Sequence, residues 1–396
     1  MKLHPHPIQA KGQQSLRASK VAFFLQDLVG GGAERVMLTL AGGFADRGYD
    51  VDLVLVRAKG QHLAEVPPNV RIVALGGRRT AYSIPRLARY LRRERPQALL
   101  SALVHVNIAA ILAARLSGSA PRIIVTEHNQ VAENAARADS RLILLAHRAI
   151  RWLYPLADEI VAVSAGVAEN LWAYSGLDRD RVSVIHNPVV TPALHEKALA
   201  AVAHRWLAPG QPPVILGAGR LTAQKDFANL LRAFAIVRQK RAARLVILGE
   251  GPERTGLQDL AAILGVVDDV DLPGFDANPY AHMSRAGVFV LSSAWEGLPT
   301  VLIEAMACGT PVVATDCRSG PAEILRDGRF GELVPVGDPQ ALAAAIERTL
   351  RRPASPQALR VRAGDFSIER AVDRYGDLAF GAGIVAERQP AFRPPG

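Results

Sequence analysis

The sequence predicts an α/β protein built as two Rossmann-like, doubly wound parallel-sheet domains facing each other across a cleft. Three observations carry this. The chain has 396 residues, more than the roughly 250–300 at which a single core stops growing. Short β-branched runs alternate with helix-periodic stretches along its length, the rhythm of parallel strands joined by crossover helices. The composition, 49% apolar and 21% charged, is that of an ordinary globular protein rather than a disordered or fibrous one.

Taken in order, residues 1–18 lack the apolar run of a secretory signal and are expected to be disordered. Residues 19–187 form the first domain, with strands expected at 20–25, 51–56, 71–74, 98–100, 122–126, 159–163 and 182–185. The apolar run 98–114 is broken by Ser101, His105 and Asn107. It falls short of the ~20 residues of a membrane span and is read as a buried strand followed by a helix. Asn187-Pro188 ends this set. Residues 188–365 form the second domain. Its strands are expected at 214–217, 244–248, 270–272, 288–291, 311–314 and 332–334, with helices between them such as 227–239 and 253–264. A closing helix follows over 366–385, and the Pro-rich tail 386–396 is expected to be disordered.

Composition also bounds the chemistry. Cys308 and Cys317 are the only cysteines, too few for a disulfide framework or a closed zinc site, and they suit a reducing, cytoplasmic setting. The net charge of +10 is uneven: residues 1–200 carry +9 and residues 201–396 only +1. A basic first half implies an anionic counterpart: membrane phospholipid, a lipid-diphosphate acceptor or nucleic acid.

In parallel sheets ligands bind outside the carboxyl ends of the strands, and the unusual residues fall there. In the second domain Pro299 suits a first helical position, Gly309 a helix end and Pro311 the exit. The amides of Thr300 and Val301 then point out of a helix N-terminus, a phosphate-binding device. Glu296 stands outside that end, and Glu304 lies about 7–8 Å further along. One carboxylate can meet a sugar while the other meets ribose; a capping Glu and a surface Glu explain the pair equally well. Arg220 and Lys225 sit on one loop, after Gly219 and before Asp226-Phe227, where cations stabilise a leaving diphosphate. In the first domain, Gly30-Gly31-Gly32 lets backbone approach a ligand or makes a tight turn. His128 and Ser164 follow strands, and each alone reads as structural, Ser164 as an N-cap.

The run Glu296-Gly297-Leu298-Pro299-Thr300-Val301-Leu302-Ile303-Glu304, continuing to Val313, resembles the two-glutamate motif of the retaining GT-B glycosyltransferases of family 4. Gly219 to Phe227 resembles their diphosphate loop, and Gly30 to Arg35 their first glycine loop. Thr126 to Asn129 and Val163-Ser164 sit where the family has similar motifs, and Phe366 to Arg370 resembles its closing helix. The resemblance spans residues 20–380. It implies a GT-B fold and a UDP-sugar donor, with Arg220 and Lys225 on the diphosphate, Glu304 on the ribose and Glu296 on the sugar. By the same resemblance His128 lies near the transferred sugar, Gly31 and Gly32 approach the reaction centre, and backbone near Phe275 meets the base. The rest of the donor set is Gly297, Leu298, Thr300 and Val301. The resemblance implies retention and no obligatory metal or cofactor, and the chain is expected to hold no Asp-x-Asp motif of a metal site. Glu-Gly-Leu-Pro-Thr replaces the frequent Glu-Gly-Phe-Gly-Leu, which points to UDP-linked hexoses or N-acetylhexosamines.

The segment 141–154 places Arg141, Arg148 and Arg151 among aliphatics, with Trp152 and Tyr154 following. Such a basic amphipathic helix lies on anionic membranes, or packs its apolar face in the core. The first reading implies a lipid-linked saccharide or lipopolysaccharide precursor as acceptor and a peripheral place on the membrane's inner face. A soluble small-molecule acceptor is one alternative, and a non-catalytic sugar-nucleotide sensor is another. An oxidoreductase is excluded by the missing Gly-x-Gly-x-x-Gly with its acidic partner, and nucleic-acid binding lacks an aromatic stacking platform.

Overall fold

The computed structural model describes residues 19–29, 31–136 and 141–381. The expectations for 1–18, Gly30, 137–140, the last residues of the closing helix (382–385) and the tail 386–396 lie outside the described residues. The first sheet has seven strands: β1 (Lys20–Leu25), β2 (Asp50–Leu55), β3 (Val70–Ala74), β4 (Ala98–Ala102), β5 (Arg122–Glu127), β6 (Glu159–Ala162) and β7 (Val182–Val184). The second has six: β8 (Val214–Ala218), β9 (Arg244–Leu248), β10 (Val270–Gly274), β11 (Val288–Leu291), β12 (Val312–Thr315) and β13 (Glu332–Val334). Every pairing is parallel. The orders are β3-β2-β1-β4-β5-β6-β7 and β10-β9-β8-β11-β12-β13.

Such strands are covered on both faces, so they read as continuous apolar runs rather than alternating ones. β1, KVAFFL, is buried at every position after Lys20, and β11, VFVL, at all four. Both orders reverse direction once, between β1 and β4 and between β8 and β11. These are the topological switch points, where the crossovers part to opposite faces and leave a crevice. The residues after β8 and β11, the Gly219 loop and the Glu296 elbow, therefore flank one crevice.

The run 98–114 resolves into β4 and the helix Val104–Ser117. No helix among the described residues is long and apolar enough to cross a membrane. The closing segment begins as a short 3-10 turn, Gly364–Phe366, and continues as the helix Ile368–Phe380. Its buried face, Ala371, Val372, Tyr375 and Ala379, joins the core beneath β1 and the helix Gly32–Asp46. Gly43 makes this approach possible, since a Cβ there would lie 2.6 Å from Val372 Cγ2. Phe380 stacks on Tyr49 with centroids 5.0 Å apart. Burying a side chain of this size stabilises by about 1.5–3 kcal/mol, which anchors the chain's end to its first half.

Two expectations need correction. Pro299 is the N-cap, and the helix runs Thr300–Ala307. Its ψ of 91° is extended, because the elbow turns sharply under Gly320. Tyr154 is fully buried and donates to Glu127, so it belongs to the core and not to a membrane face. Trp152, 64% exposed, lies on the outer side of the helix Arg141–Leu153.

Candidate active site

Three tight turns shape the β8–β11 crevice. Gly249, at φ +138°, would place a Cβ 1.9 Å from the Gly219 carbonyl oxygen, and Gly251 would place one 2.3 Å from that of Leu221. The two loops therefore lie backbone on backbone, joined by Leu221 N–H to Glu250 O at 2.9 Å and Glu253 N–H to Leu221 O at 3.1 Å. Asp226, left-handed at φ 43°, caps the helix Phe227–Lys240 through Asn229 N–H. Ser292 Oγ donates to the Lys225 carbonyl at 2.8 Å, and Gln224 Nε2 to the Trp295 carbonyl at 3.0 Å. The Lys225 end of the cationic loop is thus fixed to the segment after β11.

Lys225 Nζ meets Glu296 Oε1 at 2.6 Å, and Ser293 Oγ donates to the same oxygen at 2.6 Å. Both carboxylates of the two-glutamate run are buried, Glu296 at 6% and Glu304 at 8% exposure. Burial pushes the Glu304 carboxyl pKa up, against the pull of Arg35, the Tyr280 hydroxyl and Lys225. Arg220 is exposed on the same loop. Phe275 is exposed at the end of β10, next to Gly274, whose carbonyl accepts from Gly249 N–H at 2.8 Å.

The first sheet's edge grips this elbow. A Cβ at Gly297 would stand 2.7 Å from the His128 carbonyl oxygen. The Gly297 carbonyl accepts from Ser164 Oγ at 3.1 Å and from Ser319 Oγ at 2.7 Å. Gln130 Nε2 reaches the Glu296 carbonyl at 3.4 Å. Ser164 also caps its own helix by accepting from Val167 N–H, so it has both a structural and a cross-cleft role. Gly320, at φ +98°, leaves room for the Pro299 ring, 2.3 Å from where a Cβ would be.

His128 is buried, and burial lowers its pKa to about 4. Its Nε2 lies 2.9 Å from Thr126 Oγ1, which itself donates to the Ser101 carbonyl at 2.9 Å. Toward His128 the hydroxyl can then only accept, so Nε2 carries the ring proton. Nδ1 keeps a lone pair, is buried and has no protein partner. Beneath it Glu127, hydrogen-bonded by Asn107 at 3.0 Å and by Tyr154, is raised to about 7 by burial.

Of the sequence-predicted site, Lys225 and Glu296 touch, and Gly297, His128 and Ser164 meet across the cleft. Leu298 is buried behind the elbow, and Thr300 and Val301 open the helix. Gly31 is the N-cap of the helix Gly32–Asp46, and a Cβ at Gly32 would meet nothing within 4 Å. Sequence reading missed Arg35, whose Nη2 donates to Tyr280 OH at 3.1 Å, as well as Ser293, Ser319 and Gln130. Arg35 lies one turn after the glycines, the single signal that marks it. Three Asp-x-Asp triplets do occur, a correction to the expectation, and all serve structure. Asp52 pairs with Arg71 at 2.6 Å, Asp178 caps a 3-10 turn, and Asp269 pairs with Arg238 at 2.5 Å. No group of three or more His, Cys, Asp or Glu among the described residues could hold a metal ion.

Residues 30–191 match the family Glycosyltransferase Family 4, and residues 203–365 match Glycosyl transferases group 1. A relative from Campylobacter jejuni is 31% identical over 84% of this chain and 90% of its own length: N-acetylgalactosamine-N,N'-diacetylbacillosaminyl-diphospho-undecaprenol 4-alpha-N-acetylgalactosaminyltransferase. The lipopolysaccharide core biosynthesis glycosyltransferase LpsE of Rhizobium meliloti is 35% identical over 43% of this chain and 50% of its own. The solved lipopolysaccharide outer core galactosyltransferase WaaB superposes with a TM-score of 0.70 at 20% identity, over 91% of this chain and 99% of the other. Anabaena HepE in complex with UDP-glucose does so at 0.71 and 18%, over 90% and 98%.

Proposed function

This chain belongs to the GT-B glycosyltransferases of family 4, and on that premise we propose that it moves a hexose or N-acetylhexosamine from a UDP-sugar, with retention and without a metal. The observation that carries this is the Lys225–Glu296 contact in the β8–β11 crevice, beside the N-terminus of the helix Thr300–Ala307. A diphosphate there meets Lys225, Arg220 and the first-turn amides at once, and the hydroxyl-rich parts of the donor fall to the two carboxylates. UDP-glucose in the HepE complex supports the donor class.

In this reading the bond between the sugar's anomeric carbon and the β-phosphate oxygen breaks, and the diphosphate leaves with the electron pair. Fixed cations and amides stabilise the charge that develops. The acceptor hydroxyl attacks the anomeric carbon on the face the diphosphate leaves, and its proton passes to a phosphate oxygen, so no protein base is required. Neutral His128 accepts a hydroxyl of the donor sugar at Nδ1, which pairs the buried lone pair. Glu304 accepts from the ribose, and backbone near Phe275 meets the base.

We assign the acceptor to the lipid-linked class, as in the Campylobacter relative. The surface of the first half supports peripheral membrane contact. Leu116, Leu145 and Trp152 are exposed on neighbouring helices, interleaved with exposed Arg115, Arg148 and Arg151.

The test is release of UDP from UDP-hexoses and UDP-N-acetylhexosamines, with a lipid-diphosphate saccharide as acceptor. Glu296→Gln and Lys225→Ala should each lose about a hundredfold or more in kcat, with unchanged circular dichroism. Turnover near wild type in both would end the assignment. Donor binding with no turnover under any condition would favour the sugar-nucleotide sensor.

A further inference from the structure

Away from the cleft, where the chain crosses from the second half back to the first, a cavity of about 280 Å³ is lined by Arg326, Arg362, Arg370, Arg374, Asp365 and His186, among others. Asp365 is the only carboxylate in that lining. It is shared by three of the arginines: Arg362 Nη1 at 2.6 Å, Arg326 Nη2 at 3.2 Å, and Arg370. Four guanidinium groups around one carboxylate leave a lining charge of about +3, since an arginine stays ionised at any physiological pH. Arg362 is buried and committed. It donates to the Ile324 carbonyl at 2.9 Å and the Glu323 carbonyl at 2.8 Å, and it lies over the Phe366 ring at 4.7 Å. Arg326, Arg370 and Arg374 are exposed, and Arg326 and Arg370 already point at Asp365.

We propose that this cavity is a second anion site, which takes inorganic diphosphate or phosphate and ties the two halves together. The planar forks of arginine match phosphate oxygens in pairs. The volume is near the lower end for small-ligand sites, which suits diphosphate and is too tight for a sugar nucleotide. The residues come from both halves. Arg326 ends the helix Pro321–Leu325 and Arg362 lies on the helix Pro356–Ala363, both of the second half, while Arg370 and Arg374 ride on the helix Ile368–Phe380 and His186 follows β7. The route to the cleft is short. Arg362 caps the carboxyl end of the helix Pro321–Leu325, whose Glu323 holds Ala165 N–H at 3.0 Å and His186 at 2.6 Å, and Ser319, two residues before that helix, grips the Gly297 carbonyl. A bound anion thus bridges cationic groups of both halves.

The test is calorimetric titration of inorganic diphosphate, without any sugar donor, into the wild type, Arg370→Ala/Arg374→Ala and Arg220→Ala/Lys225→Ala. The cleft class rests on the transferase reading and the hinge class does not: if that reading fails, a single class remains, lost in the hinge pair and kept in the cleft pair. The wild type should show two classes of site. The hinge pair should weaken one class by about tenfold or more, near 1.4 kcal/mol, and leave the other, and the cleft pair should do the reverse. Arg374→Glu, on an exposed position, should give the same loss as the double variant with an unchanged unfolding midpoint. Retention of both classes in the hinge variants, or loss of all binding in the cleft variant, overturns the proposal.

Discussion

Glu127 and His128 are neighbours in sequence, yet burial moves their titrations in opposite directions. The carboxyl rises from 4.5 to about 7 and the imidazole falls from 6.5 to about 4. Between pH 4.5 and 7 the folded Glu127 holds a proton that the unfolded one has lost, so its contribution to stability is present below that window and falls as pH rises through it. Between pH 4 and 6.5 the unfolded His128 holds a proton that the folded one lacks, so its contribution is present above that window and is lost as pH falls. Each slope is about 1.4 kcal/mol per pH unit, and from 4.5 to 6.5 the two cancel. Glu127→Gln should therefore unmask the histidine: chemical denaturation should show the variant's stability rising more steeply from pH 4.5 to 6.5 than the wild type's. Equal slopes in the two would show that Glu127 does not titrate as placed. Lys225 and Glu296 pose a different problem. Removing the ammonium leaves a carboxylate at 7% side-chain exposure with Ser293 as its remaining donor. Lys225→Ala should thus cost about 1–3 kcal/mol of stability, alongside its loss of turnover.

The elbow from Trp295 to Pro299 is an element defined by what it cannot carry. Gly297 has no room for a side chain, whereas Gly32, across the cleft, faces open space. The two glycines should respond differently to the same methyl group. Gly297→Ala must push the His128 backbone away and separate Ser164 from the Gly297 carbonyl. The unfolding midpoint should drop by several degrees, for a cost of about 1–3 kcal/mol, and the donor KM should rise. Gly32→Ala, at the start of a helix where alanine is favoured, should leave the midpoint unchanged or slightly raised. Its loss should appear in kcat, because the methyl occupies the gap over the reaction centre. A matched pair of thermal melts and initial-rate curves separates these outcomes. A Gly297→Ala melt identical to wild type would mean that the two sheets do not meet at this elbow.

At the scale of the molecule, both sheets were legible strand by strand, because buried parallel strands write themselves as unbroken apolar runs. The closing helix was legible from its periodicity, and the meeting of the Gly219 loop with Glu296 from their places after β8 and β11, whereas Pro299 is the N-cap and not the first helical residue. What stayed hidden was set by tertiary contact. Nothing local to Ser319, Gln130 or Arg35 says that it reaches the other half, and Tyr154 looks amphipathic until the pocket around Glu127 is known. The same correction sharpens the membrane proposal. With Tyr154 removed from that face, the outward apolar groups are Leu112 and Leu116 on the helix Val104–Ser117 and Leu145 and Trp152 on the helix Arg141–Leu153. They are flanked by Arg115, Arg148 and Arg151 on the half that carries +9 of the charge. Each arginine near an anionic surface is worth about 1 kcal/mol and is screened within a Debye length of about 8 Å at physiological salt. Trp152 adds an interfacial anchor that salt does not screen. Co-sedimentation with vesicles containing phosphatidylglycerol should therefore fall steeply as salt rises, and Arg148→Glu/Arg151→Glu should abolish it. Trp152→Ala should weaken it by a factor that is the same at low and high salt. Binding to neutral vesicles as strong as to anionic ones, or a Trp152→Ala loss that disappears at low salt, would remove this face from the membrane.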